Sequence, residues 1–370
     1  MKTKRPDTWV GLESVDCVTP LGDADRTAVR LAQGDIALRP VPVLGGNQGD
    51  LVPLALCQDW TDTLPPRWFS ELRSLAMRIP PAPWGLDGYP IFFSSSNFGV
   101  GNLLAYRHSG GQGHLSYATP TDCINQVADL FEWGPDRTII SHACISAHLA
   151  LEQGRLAVAA GGAQKALVFS FDFLSPFVAG GFHALKILNQ AFPAPYQDRP
   201  EGSIGLGDGA AFAVLTPGPG PHMLSPALLY NEMWHFTGNN PDGSGFRAME
   251  PWLRETVGTR RVWIKGHGTG TLEAGRLEAE SLHALLPGAP LVSWKGSLGH
   301  SLGSCGLVET AIALAALKIG AIPGTVGSSG PCFAPNVALE NLVPGDFDGA
   351  VLLANAFGGA HASAFLSYEN

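Results

Sequence analysis

Three residues stand where thiol and imidazole chemistry can be done together. Cys144 lies in His142-Ala-Cys-Ile-Ser-Ala-His148, between the apolar run Thr138-Ile-Ile-Ser and a helical stretch from Ile145 to Ala160. A thiol at a strand-to-helix junction faces unpaired amides and the positive end of the helix dipole, which favour the nucleophilic thiolate. His267 and His300 lie in the glycine-rich segments Gly266-His-Gly-Thr-Gly-Thr271 and Lys295-Gly-Ser-Leu-Gly-His-Ser-Leu-Gly303. A lone cysteine is ordinarily a small buried hydrophobe; two histidines in similar loops shift Cys144 towards a nucleophilic role. A metal site built from His142, Cys144 and His148 has suitable ligand types, but the spacing follows no standard zinc pattern.

These loops need rigid elements beneath them. Alternating or continuous apolar runs predict strands at Thr8–Val15, Ile91–Ser96, Thr138–Ser141, Ala166–Ser170, Val262–Lys265, Leu291–Trp294 and Gly349–Ala354. Helices are predicted over Ala24–Gln33, Ile145–Ala160, Glu273–Leu286 and Gly306–Ile319, while residues 40–66, rich in Pro and Gly, read as irregular surface. Strand, turn, helix, strand is the grammar of an α/β protein with a mainly parallel sheet, whose sites form at the carboxyl ends of strands. The run Thr216-Pro-Gly-Pro-Gly-Pro-His222 is the best candidate boundary, giving halves 1–218 and 219–370.

Composition limits the function. Of 370 residues 45% are hydrophobic and 15% charged, and glycine (46) with proline (29) makes up about a fifth. That excludes a disordered, fibrous or coiled-coil chain. The net charge of −9 and the absence of a basic run beyond Lys2–Arg5 argue against nucleic acid as a partner. The longest apolar stretch, Ala166–Leu185, is interrupted by Asp172 and Pro176, so no membrane insertion is expected. Acids at Asp7 and Glu13 break any apolar leader, and the six cysteines form no CxxC pair. The expectation is a cytoplasmic protein with reduced thiols.

Taken in order, the motifs resemble the β-ketoacyl-ACP synthases (ketosynthases) of the thiolase-like superfamily. Ala143-Cys144-Ile-Ser-Ala is similar to that family's nucleophile loop, Gly266–Thr271 to its first histidine motif, and Lys295–His300 to its lysine and second histidine. Val10-Gly-Leu-Glu-Ser-Val…Thr19-Pro-Leu-Gly, Gly207-Asp-Gly-Ala-Ala and Asn240-Pro-Asp-Gly are similar to further family segments. The resemblance, from about Trp9 to Leu366, implies a thiolase-like α/β fold of two similar halves packed in five layers (α-β-α-β-α). It implies a decarboxylative Claisen condensation in fatty-acid, polyketide or polyene-type biosynthesis. Cys144 would hold the acyl chain; His267 and His300 would hydrogen-bond the malonyl thioester and its enolate. Backbone N–H groups of Cys144 and Phe357, the latter freed by Gly358 and Gly359, would form an oxyanion hole. Lys295, paired with Glu278, would order the second histidine loop, and Thr269 and Thr271 would meet the phosphopantetheine arm.

No metal or cofactor is expected, the substrates being carried on the phosphopantetheine arm of an acyl carrier protein. Implied partners are that carrier protein, with Arg67, Arg73 and Arg78 near its contacts, and a second subunit, giving a homodimer or a heterodimer with another ketosynthase-like chain. The sequence departs from the family at Gly275, where an aspartate is usual, at His361 in Ala356-Phe-Gly-Gly-Ala-His361, where an asparagine is usual, and in an abbreviated segment before Ile91. Two alternatives accompany this reading. One is a non-elongating chain-length factor, although such relatives typically lack the cysteine. The other is an α/β-hydrolase using Gly299-His-Ser301-Leu-Gly303 as a nucleophile elbow, with Asp346 or Asp348 and His361 downstream.

Overall fold

A computed structural model describes residues 8–43, 50–235 and 237–368, so the basic run Lys2–Arg5 lies outside the described residues. The first half contains β1 (Val10–Val18), α1 (Ala24–Ala32), β2 (Arg39–Pro42), β3 (Leu51–Ala55), α2 (Phe69–Ala76), β4 (Ile91–Ser94), α3 (Gly101–Ser109) and α4 (Pro120–Leu130). It continues with β5 (Arg137–Ile140), α5 (Ser146–Ala159), β6 (Ala166–Asp172), α6 (Pro176–Ala184), β7 (Leu206–Gly207) and β8 (Gly209–Thr216). The second half contains β9 (His222–Leu224), β10 (Leu228–Asn231), α7 (Ser244–Arg247), α8 (Glu250–Trp252), β11 (Val262–Lys265), α9 (Leu272–Leu285) and β12 (Leu291–Val292). It ends with α10 (Lys295–Leu298), α11 (Cys305–Ile319), β13 (Gly349–Ala356) and β14 (Ala360–Tyr368).

One half-sheet runs β5-β4-β6-β8-β1 and the other β12-β11-β13-β14-β10. Numbered by chain order within each half, both read 3-2-4-5-1, so the two halves share one topology although their sequences show no strong repeat. Strand β9 pairs with β1 and with β14, joining the half-sheets into one continuous path. The expectation of a mainly parallel sheet is corrected. β4 pairs in parallel with β5 and β6, and β11 with β12 and β13, but β8, β1, β9, β14 and β10 make antiparallel pairs. The apolar runs that give strands cannot by themselves specify direction.

Residues 40–66 are likewise more ordered than expected. β2 and β3 form a small sheet with β7, hidden in sequence by Pro40, Pro42 and Pro53. Prolines are tolerated best at sheet edges, and β2 is one.

The layers follow from which faces are apolar. α2 and α4 bury Leu72, Leu75, Ile124 and Val127 against Phe93, Phe169 and Phe212 on one outer face. α9 buries Ala279 and Leu282 against Ile264 and Leu291 on the other, beside Phe246 and Met249. Between the half-sheets lie α1, α5 and α11, packed with Val168, Leu215, Trp263 and Leu352. A helix between two sheets has no solvent face, so α11 is apolar nearly all round. The stretch Leu302–Ile319 is long and apolar enough to cross a membrane, but it is this core helix, 83% buried. All six cysteines are free.

Candidate active site

The chain leaves β5 and turns sharply before α5. Ala143 takes the left-handed conformation (φ 45°), which places Cys144 two residues ahead of the helix. Ser146 holds the turn: its hydroxyl accepts from the His142 N–H at 2.7 Å and donates to the Ala143 carbonyl at 2.7 Å. This fastening role was not read from the sequence, although a serine two residues after the cysteine is the signal for it. The base of the β13–β14 hairpin (Ala354, Ala356, Ala360) packs with Ile145 against Cys144. The Cys305 thiol donates to the Cys144 carbonyl at 3.4 Å.

The first histidine loop follows β11. Its backbone is gripped by Glu278 of α9, whose carboxylate accepts from the His267 N–H at 2.5 Å and the Gly268 N–H at 2.9 Å. Ser293 donates to the Gly268 carbonyl at 2.7 Å, and the buried Tyr196 lies against the same loop. The second loop runs through α10 to His300, whose N–H donates to the Gly205 carbonyl at 2.7 Å. Gly299 is required here: its φ is 69°, and a Cβ would lie 2.4 Å from the Leu206 carbonyl carbon.

The three loops converge. Cys144 Sγ lies 2.9 Å from His300 Nε2, and the two imidazole rings meet edge to face at 5.0 Å. One donor atom from each of Cys144, His267 and His300 lies within 4.8 Å of the others. That separation and donor set would admit a thiophilic cation. His148, part of the trio considered from sequence, lies elsewhere: it is buried against Gly306 with neither ring nitrogen hydrogen-bonded.

Burial pushes the Cys144 thiol up to about 12, against the pull of Lys295. Burial, reinforced by Lys295, holds both His267 and His300 well below the usual histidine range. At neutral pH the site is therefore a thiol and two neutral imidazoles. Forming the thiolate requires a proton acceptor, and His300 Nε2 is in contact with the sulfur.

Lys295 does not pair with Glu278 as expected. Its Nζ lies 2.5 Å from Glu309 Oε1 on α11, and Lys265 Nζ lies 2.8 Å from the same oxygen. The reason is geometric: Glu278 faces the backbone amides of the His267 loop, whereas α11 carries Glu309 between the half-sheets. A lone acid in the apolar run Gly306–Leu314 was the available signal. Asp172 is another unforeseen anchor. It accepts from Ser95 Oγ at 2.6 Å and from the N–H groups of Ser96, Asn97 and Ser304, tying the loop after β4 to the His300 loop. Burial pushes its carboxyl up to about 6.

The remaining expected residues divide. Thr269 and Thr271 share a 3.3 Å contact between their hydroxyls just beyond His267. Phe357 forms the tip of the β13–β14 turn, stacked on Phe182 at 6.2 Å, with Gly358 and Gly359 both at positive φ. Gly275 lies in the first turns of α9 with space around it, the nearest atom to a Cβ being 3.8 Å away. His361 is fully buried, its Nδ1 2.8 Å from Asn355 Oδ1 and its Nε2 3.4 Å from Glu232.

Those His361 contacts dissolve the hydrolase triad. Asp348 is tied to Arg261 at the far end of the hairpin, about 20 Å along β13 from the Asn355–His361 pair. Ser301 follows the helical turn α10 rather than a strand. Arg67 is also corrected as a carrier contact: it is buried, forked onto Asp208 at 2.9 and 3.2 Å, while Arg78 pairs with Asp16 and only Arg73 of the three is exposed.

Comparison with known proteins places this geometry in context. Residues 235–329 match the family described as Beta-ketoacyl synthase, C-terminal domain. The chain is 29% identical over 284 residues to the tetracenomycin polyketide synthase ketoacyl synthase alpha subunit of Streptomyces glaucescens, covering 68% of this chain and 65% of that protein. It is 29% identical over 222 residues to 3-oxoacyl-(acyl-carrier-protein) synthase 2 of Coxiella burnetii, covering 52% of each. The matches thus span about half to just under two thirds of these relatives' lengths. Among solved structures, a ketosynthase in complex with its chain length factor from Xenorhabdus doucetiae superposes with TM-score 0.81 at 22% identity over 100% of both chains. The ishigamide ketosynthase/chain length factor superposes with TM-score 0.81 at 17% identity over 98% of this chain and 99% of that one. At these identities the structures establish a shared fold.

Proposed function

We propose that this chain, similar to β-ketoacyl synthases over residues 235–329 and to ketosynthases in fold, is an active ketosynthase in which Cys144 carries an acyl chain and condenses it with a carrier-bound malonyl unit. The observation that carries this reading is the convergence of Cys144 Sγ, His267 and His300 within 4.8 Å.

In the first half-reaction Cys144 sulfur attacks the acyl thioester. Its proton passes to His300 Nε2, 2.9 Å away, and on to the departing pantetheine thiolate, so a thioester bond forms as another breaks. In the second, the malonyl carboxylate leaves as carbon dioxide, and the electron pair moves onto the thioester oxygen as an enolate. Neutral His267 and His300 donate hydrogen bonds to that oxygen. The enolate carbon attacks the acyl carbonyl, and Cys144 departs as a thiolate that takes up one proton. The oxyanion of that attack is assigned to the N–H groups of Cys144 and Phe357. Packing of the hairpin base against Cys144 supports that assignment.

The proposed partners are an acyl carrier protein and a second ketosynthase-like subunit. β5 supports the latter: it ends the sheet with Thr138 and Ile139 exposed, and its outer edge pairs with no strand among the described residues. Both relatives solved with a chain length factor share the fold, so a heterodimer is a specific second arrangement. A chain-length-factor role for this chain itself is disfavoured by the complete Cys-His-His set.

The test is intact mass after incubation with acyl-carrier protein or cerulenin, alone and with candidate partner subunits, followed by condensation with malonyl-carrier protein. Cys144→Ala should abolish the adduct and Ser301→Ala should keep it. An unmodified Cys144 in every combination would overturn the reading in favour of a scaffold subunit.

A further inference from the structure

Lys265 has no role in the scheme above, yet it is fully buried beside it. Strand alternation explains its position. On β11, Val262 and Ile264 face the outer layer with α9, while Trp263 and Lys265 face the middle layer. There Lys265 Nζ donates to the Gly266 carbonyl at 2.6 Å, meets Glu309 Oε1 at 2.8 Å and lies 5.4 Å from the centre of the Trp294 ring. A lysine is almost never fully buried unless paired, and this one's carboxylate partner is already held by Lys295 at 2.5 Å.

The charges facing this cluster come from every element packed on it. Lys295 comes from α10 and Glu309 from α11; Glu278 of α9 grips the next loop. His148 of α5 and Cys305 of α11 are held neutral by burial, as is Cys144, which also feels the Asp172 carboxylate of β6. Burial, opposed by Glu309, brings Lys265 down to about 8, so below that pH two ammonium groups stand against the two carboxylates nearest the histidine loops. Without Lys265 one ammonium would face two carboxylates, and the excess negative charge would draw protons onto His267 and His300.

We propose that Lys265 is a positioning residue for condensation, balancing Glu278 and Glu309 so that both imidazoles stay neutral hydrogen-bond donors when the enolate forms. This rests on the ketosynthase reading above. It assigns work to a residue outside the cysteine, histidine and lysine motifs. Lys265 and Lys295 both act to lower the histidines' proton affinity, in agreement with the arrangement of charges.

The test is the pH profile of malonyl-pantetheine decarboxylation, read as carbon dioxide release. Wild type should be flat from about pH 6 to 7, below the range in which Lys265 itself loses its proton. Lys265→Met should bring an acid limb into this range, so that its rate relative to wild type falls about twofold or more near pH 6 and recovers as the pH rises. Lys265→Gln keeps a donor for Gly266 and Glu309 and is the variant to read if Lys265→Met does not fold. Adding Glu309→Gln to either restores charge balance and should flatten the profile again. A variant profile lower than wild type by the same factor at every pH would overturn the proposal, showing a packing role alone. Wild-type protein that neither acylates nor decarboxylates would instead overturn the underlying ketosynthase reading.

Discussion

Replacing Glu278 by glutamine isolates what holds His267 in place. The carboxylate takes two backbone N–H groups, those of His267 and Gly268, at 2.5 and 2.9 Å. Glutamine offers one oxygen and one NH2, so one of the two amides must face another donor in a buried site. An unsatisfied buried donor costs about 1–3 kcal/mol, and the surviving bond, no longer to a charged acceptor, loses about 1 kcal/mol more. The sum is about 2–4 kcal/mol. With roughly 2.1 cal/mol/K of unfolding entropy per residue over 370 residues, that corresponds to a drop in Tm of about 3–5 °C. Displacing the loop by even 1 Å should also slow malonyl decarboxylation by about 100-fold. Cys144, held by Ser146 and α5, should still accept an acyl group. The assays are thermal unfolding, decarboxylation and intact mass of the acylated protein. A variant with unchanged Tm and unchanged decarboxylation would refute the assignment of Glu278 as the anchor of the first histidine loop.

Two further substitutions test the buried charges. Arg67→Ala leaves Asp208 ionised without its partner in a fully buried setting and should cost about 3–5 kcal/mol. Arg73→Ala, on the exposed face of α2, should change stability by less than about 0.5 kcal/mol; urea unfolding of the pair distinguishes an internal from a docking arginine. Asp172 predicts a pH dependence of unusual sign. Its folded-state pKa of about 6 lies above the ordinary 3.8, so on raising the pH the unfolded chain releases this proton first. Its contribution to stability is therefore full below about pH 4, falls by about 3 kcal/mol as pH rises to about 6, and is constant above. Asp172→Asn removes that slope. The stability difference between wild type and variant, measured in urea at pH 4 and pH 7, should favour wild type more at pH 4, and a difference independent of pH would contradict the placement.

Cys144, His267 and His300 were legible because each sits beside glycine after an apolar run, a local pattern that survives without knowledge of the fold. Their supports were less so. Lys295 is 14 residues from Glu309 and 30 from Lys265 in sequence, and only the packing of α11 between two sheets brings the three onto one oxygen. Glu278 was identified, but its partner was misassigned because a carboxylate can satisfy a lysine or two amides, and sequence does not say which it faces. Strand β14, with three alanines and a histidine among its nine residues, has little β propensity of its own. It is a strand because β13 and β9 pair with it. The antiparallel pairs were missed for the same reason: direction is a property of connections, not of residues.

Strand β9 has only three residues, yet its backbone is paired to β1 on one side and β14 on the other. Two halves tethered by a free linker could open like a clamshell to admit a long acyl chain. Here the connecting segment is itself woven into both half-sheets, and α11 packs against strands of each. Opening would break that backbone pairing and wet the apolar core helix, a cost far above that of moving a loop. On the proposed function an acyl chain would therefore reach Cys144 without separation of the halves, beside the β13–β14 turn whose flanking Ala356 and Ala360 pack with Cys144. Acylation by long chains should accordingly survive cross-linking of the two halves.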